Sequence, residues 1–539
     1  MILGRAIEKL PDEPAGDASW PQPVSLWRYS AALVFVAAVI ANACSYADID
    51  LWGHVYFGAA MIRAGRIITN DPYNYSVPNH LWLHHEWLTE VMMAAIYQHC
   101  GIIGLKLWHF SVTAFAIAML SMAEGETGAP PPIQFGVLAA AALTLSAVMQ
   151  FRPQIFTYAL FAMLIFLLTR DLYGRRSHLW LVIPMLALWS NLHGGFFIGL
   201  VTLGIYTAAI GVDDLLTGRG LKRAWRLAAL TLAATAATFV NPIGIECWRT
   251  VFVSLTDPLA HKVMADWRPI VTVIRDSGVH GSDNLLLEVW AAYMGAGAIS
   301  IAVTPRRDDW PLIAIAAVMA AAAFSAIRNI PLPIIAGAPL LARHLDLTFR
   351  KLAARKGDLA NSAAQETSGV FQRMSIAGQS LIFIASFAVL FGREGLWSAK
   401  LAAVGEYPSG AVSFMKEHNL HGNILNPSQW GQYLIWHLAP ESKIFYDSRF
   451  DTVYPQKVLI QYLDFFFEPP SGARLLNEYP HNFVLVITNS PTYKMMLEQR
   501  AWKPLYRDSV CALFAPAASR AAEMPGLPVI GKARKTFFP

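Results

Sequence analysis

Charged side chains are scarce in this chain. Lys, Arg, Asp and Glu together make up 15% of its 539 residues, whereas soluble domains carry about 25%. Hydrophobic residues make up 55%, and apolar runs long enough to cross a hydrocarbon core of about 30 Å recur along the first three quarters of the chain. This composition excludes an ordinary soluble protein and predicts an α-helical polytopic membrane protein.

Cysteine is also scarce, with four residues in the whole chain. They are far apart, they lack the spacing of metal ligands, and two of them lie in apolar runs. We therefore expect neither a disulfide framework nor a cysteine–zinc site. The four are Cys44, Cys100, Cys247 and Cys511.

No basic stretch is interleaved with aromatic residues, which argues against nucleic-acid binding.

The net charge of +5 comes from short basic segments between the apolar runs. Such segments stay on the cytoplasmic side of a membrane, so the loops that alternate with them are expected on the opposite side. The basic segments are 170–176, 219–226, 305–307 and 346–358.

The ends of the membrane domain follow from the same rule. Residues 1–28 are polar and precede the first apolar run without a small-residue cleavage site, which predicts a cytoplasmic segment followed by an uncleaved signal anchor. The transmembrane domain would span 29–393, with a first external loop at 48–88. Its last apolar run, at about 378–392, would deliver the rest of the chain to the periplasm of a bacterial inner membrane.

The stretch 88–150 fits this topology only in part. It contains three apolar runs, at about 89–105, 107–123 and 133–149, although both of its flanks are expected outside. An even number of crossings is required, so one run should be broken, re-entrant or half-spanning. We expect about 11 spans in total.

Beyond residue 394 the pattern changes to short apolar runs separated by turn residues. The runs 431–436, 443–446 and 483–487 predict buried strands, and 413–417 and 492–499 predict helices. We expect a C-terminal soluble α/β domain at 394–516, followed by an unstructured tail rich in Ala, Pro and Lys at 517–539.

Two carboxylates, Asp48 and Asp50, directly follow the first apolar run, and His54 follows them. Carboxylates near lipid are unfavourable and usually serve chemistry or ion binding. Asp50, or in its place Asp48, could act as a general base that deprotonates an acceptor. Alternatively, a carboxylate here could simply cap the next helix.

A second polar group, His84-His85-Glu86, lies where the chain re-enters the membrane. Histidine can bind an anionic phosphate or a metal ion. The flanking Trp82 and Trp87 also allow a role in interfacial anchoring. A divalent metal is possible as a cofactor, but no ligand spacing repeats, so no metal ligands are assigned.

Two arginines, Arg152 and Arg328, lie at the outer ends of apolar helices, against the usual bias of basic residues. Their planar guanidinium groups suit a phosphate or diphosphate ligand, although arginines can also reach lipid headgroups from such positions. His193-Gly194-Gly195 forms a further polar turn, whose glycines permit a close approach of a ligand or of another helix. We expect these residues to share one external cavity.

The first loop and several short motifs resemble the GT-C superfamily of membrane glycosyltransferases, which includes protein O-mannosyltransferases, aminoarabinose transferases and oligosaccharyltransferase catalytic subunits. Asp50 stands where that family has an Asp after the first span, and Glu86-Trp87-Leu88 stands where it often has Pro-Pro-Leu. A bacterial branch resembles the chain more widely. The shared motifs are Asp50–Trp52, Arg152–Gln154, Asn191–Gly195 and Trp430–Leu434.

The resemblance implies an inverting transfer of a sugar from a polyprenyl-phosphate donor to a glycan, lipid or protein acceptor, with Asp50 as the base. His54, His84, His85, Glu86, Arg152, His193 and Arg328 would then bind substrate. Two other interpretations stay open. One is a non-catalytic GT-C-like protein of envelope polysaccharide assembly or export. The other is a transporter, although transporters usually show internal repeats and charges at the midplane.

Overall fold

The structure of the chain is a computed structural model. It describes residues 46–146, 148–174, 177–256, 259, 265–277, 282–355, 401–403, 406–525, 528–532 and 537–538. The predicted signal anchor and the predicted last span, at 378–392, lie outside these residues. The count of about 11 spans therefore stays a prediction.

In the part up to residue 355, most of the described residues lie in helices, as its apolar runs predict. Its helices in chain order are α1 (Leu51–Ala64), α2 (Trp87–Glu126), α3 (Pro131–Ser146), α4 (Ile155–Tyr173), α5 (Val182–Leu192), α6 (Phe196–Thr217), α7 (Lys222–Ala237), α8 (Ile245–Thr256), α9 (Ile270–Ser277), α10 (Ser282–Val303), α11 (Trp310–Ser325) and α12 (Pro331–Arg355).

Several of these helices meet the requirements of a membrane span. Within the described residues, four are long and apolar enough to cross a bilayer by length and composition. Shorter apolar helices accompany them, among them Pro131–Leu145 and Leu287–Val303. The four are Trp87–Glu126, Ile155–Tyr173, Phe196–Thr217 and Arg307–Ser325.

The stretch 88–150 is interrupted as the topology requires. The first two apolar runs form the single element α2, which is broken at Gly101 by a left-handed φ of 60°. The part of α2 before Gly101 is about 21 Å long at about 1.5 Å per residue, which is too short to cross a core of about 30 Å. The third run begins at Pro131, where a proline suits the first helical turn.

The C-terminal part is an α/β domain built on a six-stranded mixed sheet of order β4-β3-β5-β7-β6-β8. Its strands are β3 (Asn423–Leu425), β4 (Lys443–Ile444), β5 (Phe483–Ile487), β6 (Trp502–Arg507), β7 (Cys511–Pro516) and β8 (Val529–Ile530). Its helices are α13 (Ser409–Glu417), α14 (Ser428–Leu438), α15 (Gln456–Phe467), α16 (Pro469–Gly472), α17 (Leu475–Glu478) and α18 (Pro491–Glu498).

Two local predictions for this domain differ from the structure. The run 431–436, predicted as a strand, lies inside helix α14, because a short apolar run does not by itself distinguish a buried strand from a buried helix. The tail 517–539, predicted as unstructured, contains a 3-10 helix at Arg520–Glu523 and strand β8. Strand β8 pairs with β6 and so occupies the exposed edge of the sheet.

A second, three-stranded sheet joins distant parts of the chain in the order β1-β2-β9. Strand β1 (Tyr46–Ala47) lies directly before Asp48, β2 (Leu401–Ala403) leads into the C-terminal domain, and β9 (Phe537–Phe538) belongs to the tail. The parallel pairing of β1 with β2 brings the start of the first loop beside the start of the C-terminal domain.

The first loop is docked on the edge of the C-terminal sheet. The backbone N–H of Ile444 donates to the Tyr73 carbonyl over 3.0 Å, and the N–H of Tyr75 donates back to the Ile444 carbonyl over 3.2 Å. The Ser76 hydroxyl donates to the Phe445 carbonyl. The loop therefore continues the sheet beyond β4, which fixes the predicted site residues relative to the C-terminal domain.

Candidate functional site

A cavity of about 660 Å³ lies between the first loop, the ends of several helices and the C-terminal domain. Its walls carry most of the predicted site residues, so the structure brings the separate motifs together. Those that line it are Asp50, His54, His84, His85, Glu86, Arg152, His193 and Arg328. Their individual roles stay predictions.

The two predicted carboxylates differ in access to the cavity. The side chain of Asp48 is 5% exposed and lies 2.6 Å from Nε of Arg152, whereas the side chain of Asp50 is 18% exposed and lies 3.5 Å from that guanidinium. Asp50 is also the residue directly before α1, and its backbone carbonyl accepts from the His54 N–H. Asp50 is therefore the carboxylate that an acceptor can reach.

Arg152 has a different setting from the one expected of a phosphate ligand. Its guanidinium contacts Asp48, Asp50 and Asp266, the last over 3.1 Å. Burial alone would lower its pKa, but the three carboxylates outweigh burial and raise it. Three carboxylates around one guanidinium offset much of its positive charge, and the guanidinium in turn reduces the repulsion among the carboxylates.

Arg328 is the contrasting cation of the cavity. Its guanidinium stacks on the ring of Trp267, 4.4 Å from the ring centroid, and no carboxylate of the described residues lies within ion-pair distance of it. It is half-buried, and burial lowers its pKa. A partly desolvated cation without a carboxylate partner gains most from an anionic ligand.

The buried carboxylate Glu90 joins two of the predicted histidines. Its Oε1 lies 3.1 Å from Nδ1 of His54, and its Oε2 lies 3.1 Å from Nδ1 of His84. Burial alone would lower the pKa of His54, but the hydrogen bond to Glu90 and the charges of Glu86 and Glu90 raise it to about 9. His54 is therefore an imidazolium at neutral pH.

His193 and Glu86 form a third polar group. Nδ1 of His193 accepts from the Gly195 backbone N–H over 2.9 Å, so its proton sits on Nε2, which faces Oε1 of Glu86 at 3.4 Å. His85 lies on the other side of Glu86, with its Nε2 3.6 Å from the same oxygen. Burial, with the charge of His85, lowers the pKa of His193 well below its ordinary value.

Three of these residues could hold a divalent cation. Ligand atoms of His54, Glu86 and Glu90 lie within 4.8 Å of one another, and carboxylates with an imidazole suit several first-row metals. Glu86 and Glu90 share a helical face because they are four residues apart. The residues fit a cation once His54 gives up its proton, since a metal ligand must be neutral imidazole.

The C-terminal domain supplies site residues that the sequence did not indicate. The Ser448 hydroxyl donates to Asp50, and Gln432 contacts Ser448. Asp451, from the same loop, accepts from the Ser254 hydroxyl over 2.7 Å. Glu90 was also missed, and its signal was the spacing of four from Glu86. For Ser448 the sequence carries no signal, because the contact spans 398 positions.

The chain matches no protein-family model and no curated protein sequence. Its fold matches the archaeal oligosaccharyltransferase AglB of Archaeoglobus fulgidus, determined with an inhibitory peptide and a dolichol-phosphate. The TM-score is 0.56 at 11% identity, over 86% of this chain and 69% of that one.

An Archaeoglobus fulgidus oligosaccharyltransferase tethered to an acceptor peptide with the NVT sequon matches with a TM-score of 0.52 at 11% identity, over 86% of this chain and 69% of that one. ArnT of Cupriavidus metallidurans, bound to undecaprenyl phosphate, gives 0.49 at 13% identity, over 92% and 99%. At these identities the likeness is one of fold. The predicted likeness in fold to oligosaccharyltransferases is confirmed.

Proposed function

We propose that this chain is a membrane glycosyltransferase that moves a sugar from a polyprenyl-phosphate donor to a glycan, lipid or protein acceptor. The transfer would take place on the periplasmic face of a bacterial inner membrane. The observation that carries the proposal is that a reachable carboxylate, Asp50, lines one cavity with Arg328, a cation that has no carboxylate partner among the described residues, in a chain with the GT-C fold. AglB, which shares this fold, binds a dolichol-phosphate, a lipid of the proposed donor class.

Asp50 acts as the general base of the transfer. As the acceptor hydroxyl or amine attacks the anomeric carbon, its proton moves to the Asp50 carboxylate. The new bond joins the anomeric carbon to the acceptor atom, and the bond from that carbon to the phosphate oxygen breaks. The electron pair leaves with the lipid phosphate, and attack from the opposite face inverts the anomeric centre.

Arg328 stabilises the leaving phosphate. Negative charge grows on the phosphate as the glycosidic bond breaks, and a guanidinium placed there binds that charge more tightly in the transition state than before it. The ring of Trp267 beneath the guanidinium restrains the position of Arg328, so little motion is needed during the reaction.

Glu86, His85 and His193 bind the sugar of the donor. Their carboxylate and imidazole groups line the cavity, and such groups exchange hydrogen bonds with sugar hydroxyls. His54 and His84 contribute indirectly, because their Nδ1 atoms are engaged by Glu90.

The decisive experiment measures consumption of a radiolabelled polyprenyl-phosphate sugar by the purified protein in nanodiscs containing bacterial envelope extract as the acceptor. The intact protein should consume the donor, and Asp50→Asn should not, although it unfolds at the same temperature. Asp464→Asn is the matched control, because Asp464 pairs with Arg474 on the C-terminal domain away from the cavity. Full turnover by Asp50→Asn would show that Asp50 is not the general base. If the intact protein consumed no donor, the result would favour a non-catalytic assembly protein.

A further inference from the structure

A chain of hydrogen bonds reaches Asp50 from the C-terminal domain. Nε2 of Gln432 lies 2.9 Å from Oγ of Ser448, and Oγ of Ser448 contacts Oδ1 of Asp50. Gln432 lies on α14 and Ser448 follows β4, so neither residue belongs to the membrane domain that carries Asp50. The second oxygen of Asp50 faces Arg152.

The direction of this chain follows from the groups involved. An ionised carboxylate can only accept, so the single hydroxyl proton of Ser448 points at Asp50. The other contact of Ser448 must then come from a donor, which fixes the Gln432 amide with its NH₂ toward Ser448. Donors in series polarise one another, which strengthens the bond to the carboxylate.

Two glycines make the approach possible. A Cβ on Gly53, in the first turn of α1, would lie 1.8 Å from Oε1 of Gln432. A Cβ on Gly431, beside Gln432, would lie 2.4 Å from Cβ of Asp447. Gly53 therefore leaves room for the Gln432 side chain, and Gly431 lets α14 approach the backbone of Tyr446 and Asp447, which explains the glycine of the Trp430–Leu434 motif.

The loop that carries Ser448 is itself fixed. Its two neighbours, Asp447 and Arg449, are paired with each other over 2.7 Å, and Arg449 is paired with Asp71 of the first loop over 2.9 Å. Asp71 and Asp447 are fully buried. Ser448 therefore has little freedom to leave Asp50 while the two domains are docked.

We infer that Ser448, oriented by Gln432, is a positioning residue for Asp50, so that the C-terminal domain completes the base of the membrane domain. This inference rests on the proposed function. The Ser448 hydroxyl stabilises the ionised carboxylate and holds one of its oxygens, which leaves the remaining lone pairs of Asp50 turned to the cavity and to the acceptor.

The test compares steady-state kinetics of Ser448→Ala, Ser448→Thr and Gln432→Met with those of the intact protein. Ser448→Ala should lower kcat by about 10- to 100-fold with KM for the donor unchanged, since misplacing a reacting group costs rate rather than binding. The acidic limb of its pH–rate profile should move to higher pH, because a carboxylate that loses a donor takes up its proton more readily. Ser448→Thr, which keeps the hydroxyl, should restore both.

Gln432→Met removes the amide that donates to Ser448. It should lower kcat and move the acidic limb to higher pH, as Ser448→Ala does, but by a smaller factor. Ser442→Ala is the control, because Ser442 is a buried serine of the same domain that accepts from the Gly422 N–H and does not line the cavity. An intact pH profile and kcat in both Ser448→Ala and Gln432→Met would overturn the inference while Asp50→Asn stays inactive. Activity in Asp50→Asn would instead overturn the proposed function.

Discussion

Arg449 and Asp71, 378 positions apart in the chain, form a bidentate ion pair in which two guanidinium nitrogens lie 2.9 and 3.1 Å from the two carboxylate oxygens. The guanidinium also lies over the rings of Phe57 and Trp82, 4.8 and 4.4 Å from their centroids. Arg449 belongs to the C-terminal domain and the other three residues belong to the first loop. One buried cation therefore fastens the domain to the loop beside the cavity.

Arg449→Met should destabilise the protein strongly. It leaves the buried carboxylates of Asp71 and Asp447 without their cation, and breaking a buried ion pair on one side costs about 3–5 kcal/mol. Thermal unfolding in detergent micelles should show a large fall of the midpoint. The control is Arg474→Met, since Arg474 is exposed and such surface pairs contribute at most about 1 kcal/mol. Equal midpoints for the two variants would show that Arg449 does not fasten the domains.

Arg328→Ala should weaken binding of the donor. Its guanidinium lacks a carboxylate partner among the described residues, and a hydrogen bond to a charged group contributes about 1.5–3 kcal/mol, which corresponds to a fall of kcat/KM for the donor of roughly 10- to 100-fold. Titration of the purified protein with polyprenyl phosphate measures the part of this loss that belongs to binding. Arg328→Lys should recover only part of it, because an ammonium does not bind two oxygens in one plane.

Arg152→Ala is the matched arginine variant and should behave differently. Its guanidinium is engaged by Asp48, Asp50 and Asp266, so its loss leaves carboxylates facing one another and should lower the unfolding midpoint and kcat. Affinity for polyprenyl phosphate should change less than in Arg328→Ala. The opposite order of affinities would make Arg152 the phosphate ligand after all.

The candidate cavity could be predicted from the sequence because polar groups near lipid are unfavourable and therefore informative. Asp50, His85, His193 and Arg328 lie at helix ends on one side of the predicted topology, and the structure places all four around one cavity. The interruption in 88–150 was predicted from the topology, because a segment with both flanks outside must cross the membrane an even number of times. The sequence did not indicate that the break lies at Gly101.

Contacts between distant segments could not be predicted in this way. In the sequence Ser448 looks like an ordinary turn residue. Its proposed role depends on its contact with Asp50, which lies 398 positions away in the chain. Glu90 reads as an acidic residue in the first turn of a helix, which is common on electrostatic grounds alone. The strand predicted at 431–436 was wrong because residues Gly431–Trp436 are almost all apolar or aromatic, and burial on all sides removes the periodicity that separates helix from strand.

Gly53→Ala should lower kcat although it changes no polar group. The added Cβ would lie 1.8 Å from Oε1 of Gln432, so the amide must move away, and its donor contact to Ser448 is lost with it. We expect a kcat close to that of Gln432→Met, measured in the same donor-consumption assay. Gly204→Ala, in helix α6, is the control, because a Cβ there meets open space. A normal kcat in Gly53→Ala would mean that catalysis does not depend on the position of the Gln432 amide beside Ser448.

The His54–Glu90 pair should make stability depend on pH. The pKa of His54 is about 9 in the folded protein against 6.5 for a free imidazole, so its stabilising contribution is complete below pH 6.5 and is lost as pH rises through about 9. The difference corresponds to at most about 3 kcal/mol. Thermal unfolding of the intact protein should therefore fall in midpoint between pH 6.5 and 9, and His54→Gln should show a flatter profile with a lower midpoint at pH 6. If Mn²⁺ flattens the profile of the intact protein and not that of His54→Gln, the ion takes the place of the His54 proton beside Glu90. Identical slopes for the two proteins without metal would mean that His54 does not hold that proton.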